Sequence, residues 1–431
     1  MASFAGPSIV TLNQGLILHL SASNTKSYNY SENLLTYSQQ FTNASWGTAN
    51  CSIISTSTIT APDGSSTAYK IIENTTTSVE HILAQVYSTT GTVLTQSAYL
   101  RAAERTQAYL SLSNYVNASC QAKFDLSAGT LITVTSNNAD WTNISGTISN
   151  AGNGWWRCSL TANKGTVNNT AGATIAPLVA GSSVYTGDGT SGIYVWGAQL
   201  QKNSNLETYV ATTSTNITPS TSWIDLSLNK NNATLTNIPR YSSSSTGYLA
   251  FSSATSTAAT MPYSIAYEFA GLSPYTFELW TRPYEDPGIS TYRRIIGHEY
   301  YGPRDGYNMY VNNSVAGSYS LYHERWTNNN YITGVGFTVP SASIFGTWNH
   351  VVVTFDGSIY NMYRNNVLVS GPATISSTGT LTAYGIQLTL GSYYSVGNYS
   401  GDISDFKVYN RALTIAEIDR NFQAHRDRYG L

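Results

Sequence analysis

The chain has 431 residues, enough for two or three domains with sizeable cores, yet only 10% of them are charged, against roughly a quarter in an ordinary soluble domain. Aromatic residues make up 12% and include 33 tyrosines, a composition that argues against disorder and against Glu/Lys/Leu coiled coils. The formal net charge of −2 leaves no basic stripe for a phosphate backbone, and no apolar run reaches the roughly 18–20 residues of a membrane helix, so neither nucleic acid nor membrane insertion is expected.

Along the chain, the opening MASFAGPSIVTLNQGLILHL has no basic segment ahead of its apolar stretch, which reads as a chain without a signal peptide, made in a cytoplasm. Short alternating or apolar runs between Gly/Asn/Ser/Asp turns then recur: Gly15–Leu20, Ala98–Leu100, Gly192–Trp196, Thr276–Trp280, His350–Phe355 and Ile386–Leu390. Such spacing predicts β-sandwiches, with Leu16, Leu18 and Leu20 filling a core by alternation. The three cysteines, Cys51, Cys120 and Cys158, lack CxxC spacing and read as small buried hydrophobes. Only the C-terminus is helical in pattern. Thr414 with Glu417 forms a capping box, Ile415, Ile418 and Phe422 follow at helical spacing, and Gly430 marks the end. Charge divides the chain: residues 31–217 carry 7 Lys/Arg and 9 Asp/Glu, the remainder 14 of each.

Three segments, TWNHVVVTFDG at Thr347–Gly357, NMYRNNVLV at Asn361–Val369 and GDISDFKVYNRALTIAEIDRNF at Gly401–Phe422, resemble laminin-G-like domains of the concanavalin A-like jelly-roll class, which are widespread in bacteriophage virion proteins. In WNHVVVTF, Trp348 reads as an inward anchor. The opening motif of those domains is split here between Gly15–Tyr28 and Trp223–Asn237, with Ser21 at a usual Asp and Leu228 at a usual Gly. The split implies a discontinuous domain of residues 1–30 plus 218–431 that carries an inserted domain of residues 31–217. The insert, through Asn33–Trp46, Ala61–Ser65, Gly152–Ser159 and Trp196–Leu200, resembles phage carbohydrate-binding-like jelly rolls. The expected fold is therefore all-β: two β-sandwiches, one inserted in the other, with a short C-terminal helix.

Catalytic patterns are missing. No Glu-x-Asp-x-x-Glu strand, GxSxG elbow or HExxH occurs, and Glu278 stands alone in its strand. No enzyme activity and no cofactor are expected. Jelly rolls often hold a structural calcium on carboxylates and carbonyls, but the acids here are too few to place one, and Asp402 and Asp405 read as turn residues. Binding is better supported. Residues 282–325 hold 10 of the 44 charged side chains, Glu285 and Asp286 among them, interleaved with aromatics. Tyr300, Tyr301, Arg304, Asp305, Tyr307, Tyr322, Arg325 and Trp326 are the candidates there, because flat rings and bidentate polar groups suit sugars and protein interfaces alike. The opposing reading is a set of paired strands with cross-strand tyrosine contacts and surface ion pairs. In the insert, Trp155 and Trp156 are adjacent, so on one strand they face opposite ways and one is a candidate stacking residue.

The resemblance implies a non-catalytic virion surface protein (capsid decoration, fibre or tail-associated), present in many copies or as a homo-oligomer. Its expected partners are other virion proteins and host surface glycans. A host-receptor adhesin is the alternative, and a polysaccharide depolymerase the less favoured one.

Overall fold

A computed structural model describes residues 14–88, 93–114, 119–165, 170–242, 246–284, 292–301, 304–312, 317–327, 329–375, 385–392 and 397–431. The chain divides into two compact units, Met1–Tyr30 with Ser220–Leu431, and Ser31–Pro219. Nearly every described element is an antiparallel strand, as the recurrent alternation predicts.

The unit Ser31–Pro219 is a sandwich of two six-stranded sheets. Ser119–Asp125 shows why its strands form: Cys120, Ala122 and Phe124 point inward while Ser119, Gln121 and Lys123 alternate toward the surface. Its core joins Leu94, Leu100, Leu110, Phe124, Leu160 and Ile193 from both sheets. The three cysteines are free thiols: Cys120 and Cys158 are buried, and Cys51 is half-buried. Burial pushes the Cys51 thiol up to about 11, which makes it a poor nucleophile.

The other unit packs two eight-stranded sheets around one aromatic-rich core. In the first sheet, Tyr275–Pro283 lies between Gly401–Tyr409 and Asn349–Phe355. Leu16–Ser21 joins it by pairing with Gly401–Tyr409, Leu18 opposite Val408 and Leu20 opposite Phe406. Leu18 and Leu20 enter the core as expected, but a bulge between Leu16 and Leu18 turns Leu16 onto the opposite, helix-covered face beside Leu413 and Ile418. The second sheet contains Arg293–Tyr301, Arg304–Asn312, Ser318–Thr327 and Asn330–Pro340 in that order.

The C-terminal helix, Ile415–His425, begins with the reciprocal capping box of Thr414 and Glu417 and is braced by Arg411, which donates to both Glu417 oxygens at 2.8 and 2.9 Å. It covers the outer face of the first sheet. Phe422 and Tyr429 stack on Trp280, with ring centroids 5.9 and 4.0 Å away, and Trp348 closes the cluster against Tyr429 at 5.0 Å. Trp348 is thus an anchor, but in the outer cluster with Trp280, Phe422 and Tyr429 and not inside the sandwich, because it stands two residues before His350, which faces that same side.

Candidate binding face

The candidate face is the outer side of the second sheet. Ser318–Thr327 alternates strictly: Tyr319, Leu321, His323 and Arg325 are buried, while Tyr322, Glu324 and Trp326 emerge on the other face. Gly336 lies opposite Tyr322, and a side-chain carbon there would come within 2.2 Å of the tyrosine ring; at Gly334 it would meet the Tyr331 hydroxyl at 2.4 Å. The two glycines let the rings lie flat along the sheet. Trp326 meets Tyr331 edge-on, with centroids 5.2 Å apart, and Tyr322 neighbours Tyr310 at 5.7 Å.

Two carboxylates tie this surface together. Glu299 accepts from Arg304 Nε at 3.0 Å and from Asn308 at 2.5 Å, with Arg294 at 3.4 Å. Glu324 accepts from the Tyr310 hydroxyl at 2.6 Å, the Trp326 indole at 3.2 Å and Arg304 at 3.3 Å. Arg304 therefore bridges both acids, and its guanidinium lies 3.8 Å from the centre of the Trp326 ring. Burial first, then the bond to Glu324, raises the Tyr310 hydroxyl well above the usual phenol range, so it stays a donor. The result is a rigid aromatic surface with donors and acceptors held in fixed directions.

The sequence candidates separate by face. Tyr322, Trp326 and Arg304 belong to the surface. Tyr307 does not: it is fully buried, its ring is stacked on His298 at 4.7 Å, and its hydroxyl donates to the Tyr267 carbonyl at 2.8 Å. Arg325 is buried opposite Tyr307 and donates to the carbonyls of Phe269 and Gly271 at 2.9 and 2.5 Å, so it ties down a loop from the inner face. Asp305 is buried as well, paired across the hairpin with half-buried Tyr300 on that inner face. The physical reason is period two: residues clustered in sequence are dealt alternately to the two sides of a strand. Tyr301 ends its strand with a side chain outside those described, and Glu285 and Asp286 lie outside the described residues.

Trp155 and Trp156 do face opposite ways, but neither is an open stacking ring. Trp155 is fully buried and donates to the Thr60 carbonyl at 2.8 Å, and half-buried Trp156 lies over Gly129 with its indole bonded to the Leu126 carbonyl at 2.8 Å.

Sequence reasoning missed a buried ionic cluster beneath the helix. Glu278 is not alone: Lys407 and His350 each lie 3.2 Å from one of its oxygens, and Asn421 donates to the other at 2.7 Å. Burial opposes charge on Glu278, but Lys407 and the His350 bond outweigh it and hold the carboxyl at about 2. Asp405 and Asp402 are strand residues, not turn residues. Asp405 lies 3.4 Å from Lys407 and 3.2 Å from His19, and Asp402 accepts from Arg282 at 2.7 Å. Alternation on neighbouring strands was the available signal, since Glu278 and Lys407 are register partners. Among the described residues, no group of three or more His, Cys, Asp or Glu is placed to hold a metal ion, and no helix is long and apolar enough to cross a membrane.

With this geometry in view, residues 243–419 match the family described as the concanavalin A-like lectin/glucanases superfamily, and this part of the chain is a concanavalin A-like domain. No curated protein sequence matches the chain. Among solved structures, it is similar to the binding domain of Paraclostridial Mosquitocidal Protein 1, at 15% identity and a TM-score of 0.40, over 47% of this chain and 49% of that one. It is also similar to the botulinum neurotoxin serotype G binding domain, at 14% identity and a TM-score of 0.36, over 47% of this chain and 48% of that one. The chain thus spans about half the length of these structures.

Proposed function

We propose that this protein is a non-catalytic glycan-binding component of a bacteriophage particle, and that the outer face carrying Tyr322, Glu324, Trp326 and Tyr331 makes the contact. The observation that carries the reading is the pair of tyrosines laid over Gly334 and Gly336 beside Trp326, with Arg304 and Glu324 fixed among them. Rings held flat offer apolar faces to the C–H patches of a sugar and lose little rotamer entropy on binding. The fixed guanidinium and carboxylate supply directional bonds to hydroxyls. The matched superfamily is described by lectins as well as glucanases, which supports a sugar as the partner. Arg304 supports the non-catalytic reading: it engages both nearby acids, Glu299 and Glu324, and an acid held in an ion pair is a poor proton donor. The particle assignment rests on the phage-type motifs at Thr347–Gly357 and Gly401–Phe422. Many copies on one particle would turn weak single contacts into firm attachment.

The test is a glycan array probed with the full chain in a multivalent format, run alongside reducing-sugar release from the polysaccharides that score. We expect binding without release, lost in Trp326→Ala. Silence across the array, or sugar release abolished by a Glu substitution, would overturn the reading. Immunogold labelling of particles tests the location.

A further inference from the structure

A cavity of about 380 Å³ opens elsewhere on the same unit, at the end of the C-terminal helix, within the roughly 300–1,000 Å³ range of small-molecule sites. Its lining brings together the polar turn at residues 21–25, His425 and Arg428 at the chain's C-terminal end, and Asp405 with its partner His19. The turn is well set: Asn24 N–H donates to the Ser21 carbonyl at 3.2 Å, Ser27 N–H to the Asn24 carbonyl at 2.8 Å, and Gly247 packs on the Ser23 backbone, where a side-chain carbon would sit 2.6 Å from its Cα. Tyr429, next to Arg428, is anchored in turn, its hydroxyl 2.8 Å from Ser404 Oγ.

From this we infer a second ligand site that takes one neutral, polyhydroxylated sugar unit, with Asp405 accepting from its hydroxyls and Arg428, Asn24 and the serines completing the ring of bonds. Three observations support it. First, the charges near the cavity balance. Arg428 and Lys407 are set against Asp405 and Glu278, and the helix C-terminus that carries His425 adds negative potential. Burial lowers the His425 imidazole, with Asp405 and Glu278 raising it and Lys407 and Arg428 lowering it, so the ring is neutral near pH 7. An anion therefore gains little here. Second, the lining mixes donors and acceptors, as vicinal hydroxyls require. Third, Lys407 at 3.4 Å and His19 at 3.2 Å keep the Asp405 carboxyl ionised against its burial, so a fixed carboxylate acceptor lines the cavity.

The site is separate from the Trp326 face, and its fate is read independently. The full chain is titrated with neutral methyl pyranosides, sodium glucuronate and inorganic phosphate, followed by saturation-transfer NMR and calorimetry. At least one neutral pyranoside should bind near the millimolar range, and Arg428→Ala should weaken it about tenfold or more with an unchanged melting temperature, because one charged-group bond is removed. His425→Gln, which keeps hydrogen-bonding capacity, should weaken it less, and Trp326→Ala should leave it unaltered. Glucuronate or phosphate binding more tightly than every neutral pyranoside would overturn the inference. So would the absence of millimolar binding by any pyranoside, or full binding in a folded Arg428→Ala protein.

Discussion

The two outer faces of the discontinuous unit start from similar strands and end as different surfaces. On the first sheet, the helix Ile415–His425 lays Phe422 over Trp280 and seals Glu278, His350 and Lys407 from water, so those charges must satisfy one another. On the second sheet, among the described residues, no helix covers Tyr322, Glu324 and Trp326; long side chains lie along the strands and Arg304 bridges Glu299 to Glu324. Covering a face turns its polar residues into structural ones; leaving it bare makes the same residue types available to a partner. The difference lies in dielectric more than in composition.

The sharpest way to break this contrast is Trp280→Ala. It deletes the ring on which the helix rests and should destabilise the protein by about 3–5 kcal/mol, measured by chemical denaturation. A loss below about 1 kcal/mol would mean that the helix is not what seals that face. Next is Lys407→Met, which leaves Glu278 buried without its main counter-charge and should remove about 3 kcal/mol. Adding Glu278→Gln should restore most of that; if the double variant is as weak as the single one, the two residues are not coupled.

The acid titration is a smaller effect, and it distinguishes the two sheets. Burial lowers His298 to about 4 and His323 to about 3, and both sit on the second sheet's inner face. Below pH about 6.5 the unfolded chain binds protons that the native one refuses, so each imidazole should withdraw about 1.4 kcal/mol per pH unit until its folded value is approached. Glu278 acts in a later window. Its folded value of about 2 lies below the ordinary 4.5, so its stabilisation is complete above 4.5 and fades as pH falls toward 2. Unfolding free energy followed against pH should bend twice, and His298→Phe should flatten only the upper bend. The smallest stability effect belongs to the bare face, where Tyr331→Ala should change the melting free energy by less than about 0.5 kcal/mol while weakening glycan capture. A large stability loss there would make that ring structural and erase the contrast.

Much of the fold was legible in the residues themselves. Alternation marked the strands, and the Thr414/Glu417 box marked the helix start. The binding face was legible only as a crowded segment. Tyr307 and Arg325 were drawn into it because they are neighbours in sequence of Tyr310 and Trp326, yet they register opposite each other on the buried side. Which side of a strand faces the core depends on its partners and its bulges, and a one-residue shift inverts every choice.

Local chemistry, then, is what this sequence determined alone: strand period, turn residues, the helix cap, and a charge-poor composition whose few ionic residues cluster along the chain. Tertiary structure decided which of those residues meet. Glu278, His350, Lys407 and Asp405 come from three strands, and only sheet pairing brings them under a helix. His19 reaches Asp405 across 386 positions because Leu16–Ser21 adds to the 401–409 strand. Such contacts rest on long-range register and on exclusion of water, and neither is a property of any short stretch of chain.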